Sequence, residues 1–156
     1  MSTASTHNAF QHLAPLTPDY ATRPIECAFN WQDCAALIEP GRWYLVVFRS
    51  VRRPDADEAI LTEFDDDAYM EALQAGGLLF YFRGSLNERR ECLSFCIWES
   101  QEQARAGSCL PLHRRAAAIT PETYVTYKLE RYHIHKDSPD GPLLFDALPL
   151  APCPAH

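Results

Sequence analysis

The stretch Glu91 to Lys136, ECLSFCIWESQEQARAGSCLPLHRRAAAITPETYVTYKLERYHIHK, constrains the fold more than any other part of the chain. Residues 91–99 alternate, with Leu93, Phe95 and Ile97 on one side and Ser94, Cys96 and Trp98 on the other, which is the period of a half-buried strand. Ser100 followed by Gln103 is a capping-box pattern, in which side chains satisfy the free N–H groups of a helix start. Pro111 interrupts that helix because it lacks an N–H, yet it suits the first turn of another helix over residues 112–119. Residues 124–134 then return to β-branched and aromatic side chains. The unit reads as strand, broken helix, strand.

Upstream, Arg42 to Val51 (RWYLVVFRSV) is a nearly continuous β-prone run, the pattern of a strand covered on both faces. Residues 54–75 carry Ile60, Leu61, Phe64, Ala68, Ala72 and Ala75 in one helical stripe, with Asp66, Asp67, Tyr69 and Met70 pointing away. Gly76-Gly77 ends the helix, residues 78–84 form a strand, and residues 85–90 make a hairpin loop. The order predicts an α+β, ferredoxin-like βαββαβ fold, with an antiparallel four-stranded sheet and both helices on one face. Leu93, Phe95, Ile97, Val125, Tyr127 and Leu129 are expected on the helix side. Ser94, Cys96, Trp98, Tyr124, Thr126, Lys128, Glu130 and Tyr132 are expected on an open face, where Trp and Tyr beside polar groups suggest a homodimer formed through the sheet faces.

The expected organisation is a mobile N-terminal arm over residues 1–24, a single domain over 25–136 and a proline-rich C-terminal tail over 137–156. Within the domain, residues 25–38 suggest a short helix or lid element, ended by Pro40-Gly41. The tail holds five prolines and is expected to lack regular elements. Its Leu143, Leu144, Phe145, Leu148 and Leu150 are too apolar for a solvated extension, so docking is expected.

A formal charge of −7 argues against a nucleic-acid partner, whose phosphates call for a basic face. No apolar run approaches the ~20 residues of a membrane span, and no leader pattern is evident, so the expected location is cytoplasmic with reduced thiols. The six cysteines contain no C-x-x-C, which favours small buried side chains over a metal site. Eight acids between Pro54 and Gly77 read as a solvated helix face. Arg42, Arg49, Arg52 and Arg53 can pair with that flank or hold an anionic ligand, pairing being favoured.

The segments WYLVVFRSVRRPDADEAIL, GGLLFYFRG, LSFCIWES, PLHRRA and TYVTYKLERY together resemble a fungal family of small uncharacterised proteins, over roughly residues 41–136. That family is in turn similar to the dimeric α+β-barrel superfamily, which includes antibiotic-biosynthesis monooxygenase-like proteins. The resemblance implies the fold, a dimer and cofactor-independent chemistry on hydrophobic small molecules, and it supplies no particular reaction.

Candidate catalytic residues are His113, Glu130, Tyr124 and Arg49. His113 follows the helix break at Leu110-Pro111, and imidazole titrates near neutrality; the plain alternative is a cap on that helix. Glu130 facing an apolar cavity is a candidate acid or base, its alternative being an ion pair with Arg83, Lys128 or the other subunit's Arg131. Arg49 and Tyr81 can donate to a developing oxyanion. Trp43, Phe48, Phe80, Cys96, Trp98 and Lys128, with Tyr81, are candidate substrate-binding residues, although aromatics in strands more often belong to a core. His133 and His135 share a strand face without an evident third ligand, and no metal is expected. The leading expectation is a cofactor-independent enzyme of secondary metabolism that isomerises, cyclises or eliminates within a hydrophobic polyketide- or terpenoid-like molecule. A cofactor-free monooxygenase and a non-catalytic binding or assembly protein are the alternatives.

Overall fold

The computed structural model describes residues 9–149. Two short helices, α1 (Ile25–Ala28) and α2 (Trp31–Ala35), precede β1 (Gly41–Arg52), α3 (Glu58–Ala75), β2 (Leu78–Phe82) and β3 (Glu91–Trp98). Next come α4 (Gln101–Ser108), α5 (Pro111–Ala118), the single turn α6 (Thr120–Thr123), β4 (Tyr124–Lys136) and β5 (Leu144–Ala147). The sheet is antiparallel in the order β2-β3-β1-β4-β5. Its first four strands are the ferredoxin-like βαββαβ arrangement; β5 is an addition from the tail. Proline density does not prevent this strand, because Leu144 to Ala147 is a proline-free window that pairs with Tyr132 to His135.

Local chemistry explains the helix limits. Asp57 accepts a hydrogen bond from the Ile60 N–H at the start of α3, and Gly76 and Gly77, with φ of 87° and 88°, end it in a conformation that side chains disfavour. Ser100 accepts from the Gln103 N–H at 3.2 Å, opening α4. Replacing Ser100 by Ala is expected to cost ~1 kcal/mol in urea unfolding, the usual loss for a cap of this kind.

Both faces of the sheet are covered. On one face Leu45, Val47, Leu93, Phe95, Ile97 and Ile134 meet Phe10, Ile25, Phe29 and Trp31 in the main core, all of them 2% exposed or less. The covering layer is therefore residues 9–38. Residues 9–24 are packed rather than a mobile arm, with Ala9, Phe10 and Leu13 buried, and residues 25–38 belong to the core rather than to a lid. Residues 1–8 and Leu150 to His156 lie outside the described residues.

The other face carries the helices. Register places Tyr44, Val46 and Phe48 of β1 beside Trp98, Cys96 and Ser94 of β3 and beside His133, Arg131 and Leu129 of β4. The expected parity of β3 is thus inverted: Leu93, Phe95 and Ile97 face the N-terminal segment, and Ser94, Cys96 and Trp98 face the helices. The parity expected for Tyr127 and Leu129 matches the helix side, whereas Val125 is largely exposed. On the face opposite the helices, Thr126 and Lys128 of β4 remain exposed, so the covered part is β1, β3 and the C-terminal half of β4. Among the described residues no helix is long and apolar enough to cross a membrane.

Helix α3 buries none of its residues; Ile60, Met70 and Leu73 are exposed, and Tyr69, expected to point outward, turns toward the sheet. Charge holds this helix. Arg83, just after β2, pairs with Asp65 at 2.7 Å and Asp66 at 2.6 Å, Arg115 of α5 with Asp67 at 2.6 Å, and Arg52 of β1 with Glu58 at 2.8 Å. The acidic flank is an ion-pair partner of arginines from β1, α5 and the loop after β2, and α3 stands over a cavity instead of filling it.

Candidate functional site

The cavity lies between α3, α5 and the helix-side face of the sheet, with a volume of about 260 Å³, near the lower end for small-molecule sites. Its sheet wall is Phe48, Tyr81, Cys96, Trp98, Tyr124 and Tyr127; its helix wall is Leu61, Asp65, Tyr69, Ala72 and His113. Aromatic rings line two sides, Tyr69 and Tyr81 at 5.4 Å between centroids and Tyr124 and Tyr127 at 5.1 Å. Gly107 sets the depth at Trp98: a Cβ there would lie 2.4 Å from the indole, so only glycine lets α4 rest on this ring.

Two polar groups line this cavity. Tyr81 donates its O–H to the Asp65 carboxylate at 3.1 Å, and Arg83 pairs with the same carboxylate. Burial pushes Asp65 above its ordinary range, the charged form being poorly solvated, while Arg83 and Tyr81 pull it back. Burial and the adjacent carboxylate raise the Tyr81 phenol strongly. The second group is His113, placed by the N-terminal turn of α5, where Glu71 of α3 accepts from the Leu112 N–H at 3.0 Å. Glu71, rather than His113, thus caps that helix start. Half-buried among apolar neighbours, His113 is lowered from its ordinary 6.5 by burial, with Glu71 and Asp65 acting in the opposite direction.

A consequence for stability follows from the sign of that shift. The unfolded chain takes up the His113 proton before the folded protein does, so the contribution is complete above ~6.5 and declines as pH falls toward the lower folded-state value. His113→Gln removes this titration. The stability difference between about pH 7 and about pH 5 is expected to shrink in the variant, measured by urea unfolding at both.

Of the residues anticipated from the sequence, His113, Tyr124, Tyr81, Phe48, Trp98 and Cys96 gather at this cavity. Trp98 donates its indole N–H to the Cys96 sulfur at 3.0 Å, and burial pushes that thiol up to about 12, which makes it an inert wall. Arg49 and Glu130 are not at this site. They form an ion pair at 2.5 Å beneath the N-terminal segment, where Arg49 also donates to the carbonyls of Ala21 and Arg23, and Tyr132 donates to Glu130. Trp43 and Phe80 pack against the main core, and Lys128 borders a separate cleft near Arg23 and Thr126. His133 lies tilted beside Tyr44 at 5.6 Å between ring centroids, whereas His135 contacts Asp137 and Asp146. Among the described residues, no cluster of His, Cys, Asp and Glu is arranged to hold a metal ion.

A family model described as PB2B2.08-like matches residues 1–141. The UPF0643 protein PB2B2.08 of Schizosaccharomyces pombe is 33% identical over 97 residues, a match covering 58% of this chain and 44% of that protein. The chain therefore spans less than half the length of the curated relative it matches. Among solved structures, Rv0793 from Mycobacterium tuberculosis has a TM-score of 0.51 at 18% identity, covering 57% of this chain and 91% of that one. A conserved protein from Methanosarcina mazei Go1 has a TM-score of 0.51 at 12% identity, covering 58% and 90%. A supposed antibiotic biosynthesis monooxygenase from Nitrosomonas europaea has 0.50 at 12%, covering 57% and 95%. These likenesses establish the fold alone, a ferredoxin-like α+β arrangement.

Proposed function

The chain belongs to the PB2B2.08-like family, and we propose that it acts on a hydrophobic small molecule by acid–base chemistry of its own side chains in the cavity between α3, α5 and the sheet. The observation that supports this reading is the presence in one aromatic-lined cavity of His113 and the hydrogen-bonded Asp65–Tyr81 couple. Near neutral pH burial keeps His113 uncharged, which makes it a proton acceptor. The Asp65–Tyr81 hydrogen bond runs in either direction. With Asp65 ionised, Tyr81 points its proton at the carboxylate and presents an acceptor oxygen to the cavity. With Asp65 protonated, the order reverses and Tyr81 offers its O–H to a substrate oxygen. Burial disfavours the charged form of both groups, so a neutral His113 can accept a proton and the Asp65–Tyr81 couple can supply one.

The chemistry supported is proton abstraction beside a carbonyl, with isomerisation, cyclisation or elimination as possible continuations. The test is deuterium incorporation from D₂O into a panel of ketones with aromatic or polycyclic bodies, followed by NMR. Exchange at the carbon beside the carbonyl, lost in His113→Gln, is the expected result. A ketone that binds with no exchange while dissolved oxygen is consumed would contradict it and favour a monooxygenase.

A further inference from the structure

The face of the sheet opposite the helices is filled from within the chain. Phe10, Ile25, Phe29 and Trp31, each 2% exposed or less, seat on Leu45, Val47, Leu93, Phe95 and Ile97, each fully shielded from solvent. Phe29 and Phe95 meet edge to face at 4.9 Å, and Trp31 lies 5.4 Å from Phe95 and 5.1 Å from Phe145 of β5. We propose that residues 9–38 serve in cis as the partner of this sheet face, in the place a second copy would take, so that one chain carries a complete fold and a complete cavity.

Polar contacts fix residues 20–38 of the segment to the rest of the chain. The Lys136 ammonium donates to the carbonyls of Ala35 and Ile38 at 2.7 and 2.8 Å, satisfying acceptors left free where α2 ends. Arg49 holds the carbonyls of Ala21 and Arg23. Gln32 both donates to and accepts from the backbone of Leu143, and the Tyr20 hydroxyl accepts from the Ser85 N–H at 2.9 Å. These anchors reach β1, β4, the loop after β2 and the approach to β5.

Of the polar residues on that face, Glu130 accepts from Arg49 and from Tyr132, while Thr126 and Lys128 stay exposed at its edge. A second copy would have to displace this aromatic layer and leave those charges unpaired, which costs more than a new contact returns.

The test uses the full chain at ~1 µM and ~100 µM, with sedimentation for mass and amide hydrogen exchange for the faces engaged. A particle of 17.7 kDa at both concentrations, with exchange in residues 9–38, β1 and β3 changed less than about two-fold, is the expected result. A dimer that dissociates on dilution with protection lost only in α3 to α5 also upholds the assignment, the sheet face remaining filled. Exchange rising about ten-fold or more in residues 9–38, β1 or β3 on dilution would overturn it. For a dimer that persists at both concentrations, cross-linking mixed isotopically light and heavy chains decides: same-chain links from residues 9–38 to the sheet uphold it, and mixed-mass links overturn it.

Discussion

Replacing Trp31 by Ala in the full chain is expected to lower the unfolding free energy by ~3–5 kcal/mol, the range for removing a large aromatic side chain from a packed core. Trp31 is 1% exposed, its indole N–H donates to the Ile25 carbonyl at 2.8 Å, and its ring touches Phe29, Phe95 and Phe145. Truncation opens a cavity at the junction of three layers and leaves a buried carbonyl without its donor. Because small domains are stable by only about 5–15 kcal/mol, the change should be evident in a urea melt. Met70→Ala, at an exposed position on α3, is the comparison and is expected to change stability by less than about 0.5 kcal/mol. A Trp31 loss of less than about 1 kcal/mol would mean that residues 9–38 contribute little to the core, contrary to this account.

The second large effect concerns the cavity. Asp65→Asn and His113→Gln are each expected to lower turnover of a ketone substrate by ~10²–10⁴, the usual consequence of removing a positioned acid or base. Neither should unfold the protein. Both replacements keep the shape and remove a titration, and burial already disfavours the charged form of Asp65 and of His113. Glu130→Gln separates catalysis from packing, since it breaks the ion pair with Arg49 beneath the N-terminal segment while leaving the cavity untouched. It is expected to reduce stability and to leave turnover within a few-fold of the parent. Equal losses of turnover in all three variants would assign them to folding rather than chemistry.

The order of the elements was legible because caps, glycine stops and hydrophobic periods agree locally: Ser100, Pro111 and Gly76-Gly77 mark boundaries that the structure keeps. The faces were not. Alternation in β3 separates two sets of residues without saying which set meets the helices, and here both sets are covered, Cys96 and Trp98 being buried like Phe95 and Ile97. The N-terminal layer lacks periodicity because it is built from helices of four and five residues joined by turns, so its prolines look like disorder. Phe10, Tyr20, Phe29 and Trp31 were the available signal, being too aromatic for a solvated arm. Asp65 was hidden among eight acids. Its spacing nevertheless places it between Leu61, Ala68 and Ala72 on the inward stripe of α3, which distinguishes it from Asp66 and Asp67. Glu130 reads from the sequence as an acid or base and Arg49 as an oxyanion donor, and neither reading pairs the two; the strand register instead places both on the face opposite the cavity, where they pair with each other.

The central claim, that small molecules bind between the helices and the sheet, is tested most directly by the indole N–H resonances of the three tryptophans. Trp98 lines the cavity, whereas Trp31 and Trp43 belong to the opposite side of the sheet, with Trp43 edge-on to Phe10 at 5.6 Å. Titration of a hydrophobic ketone into ¹⁵N-labelled full chain should move the Trp98 resonance and leave the other two in place. Movement of Trp31 or Trp43 with Trp98 unchanged would contradict the account.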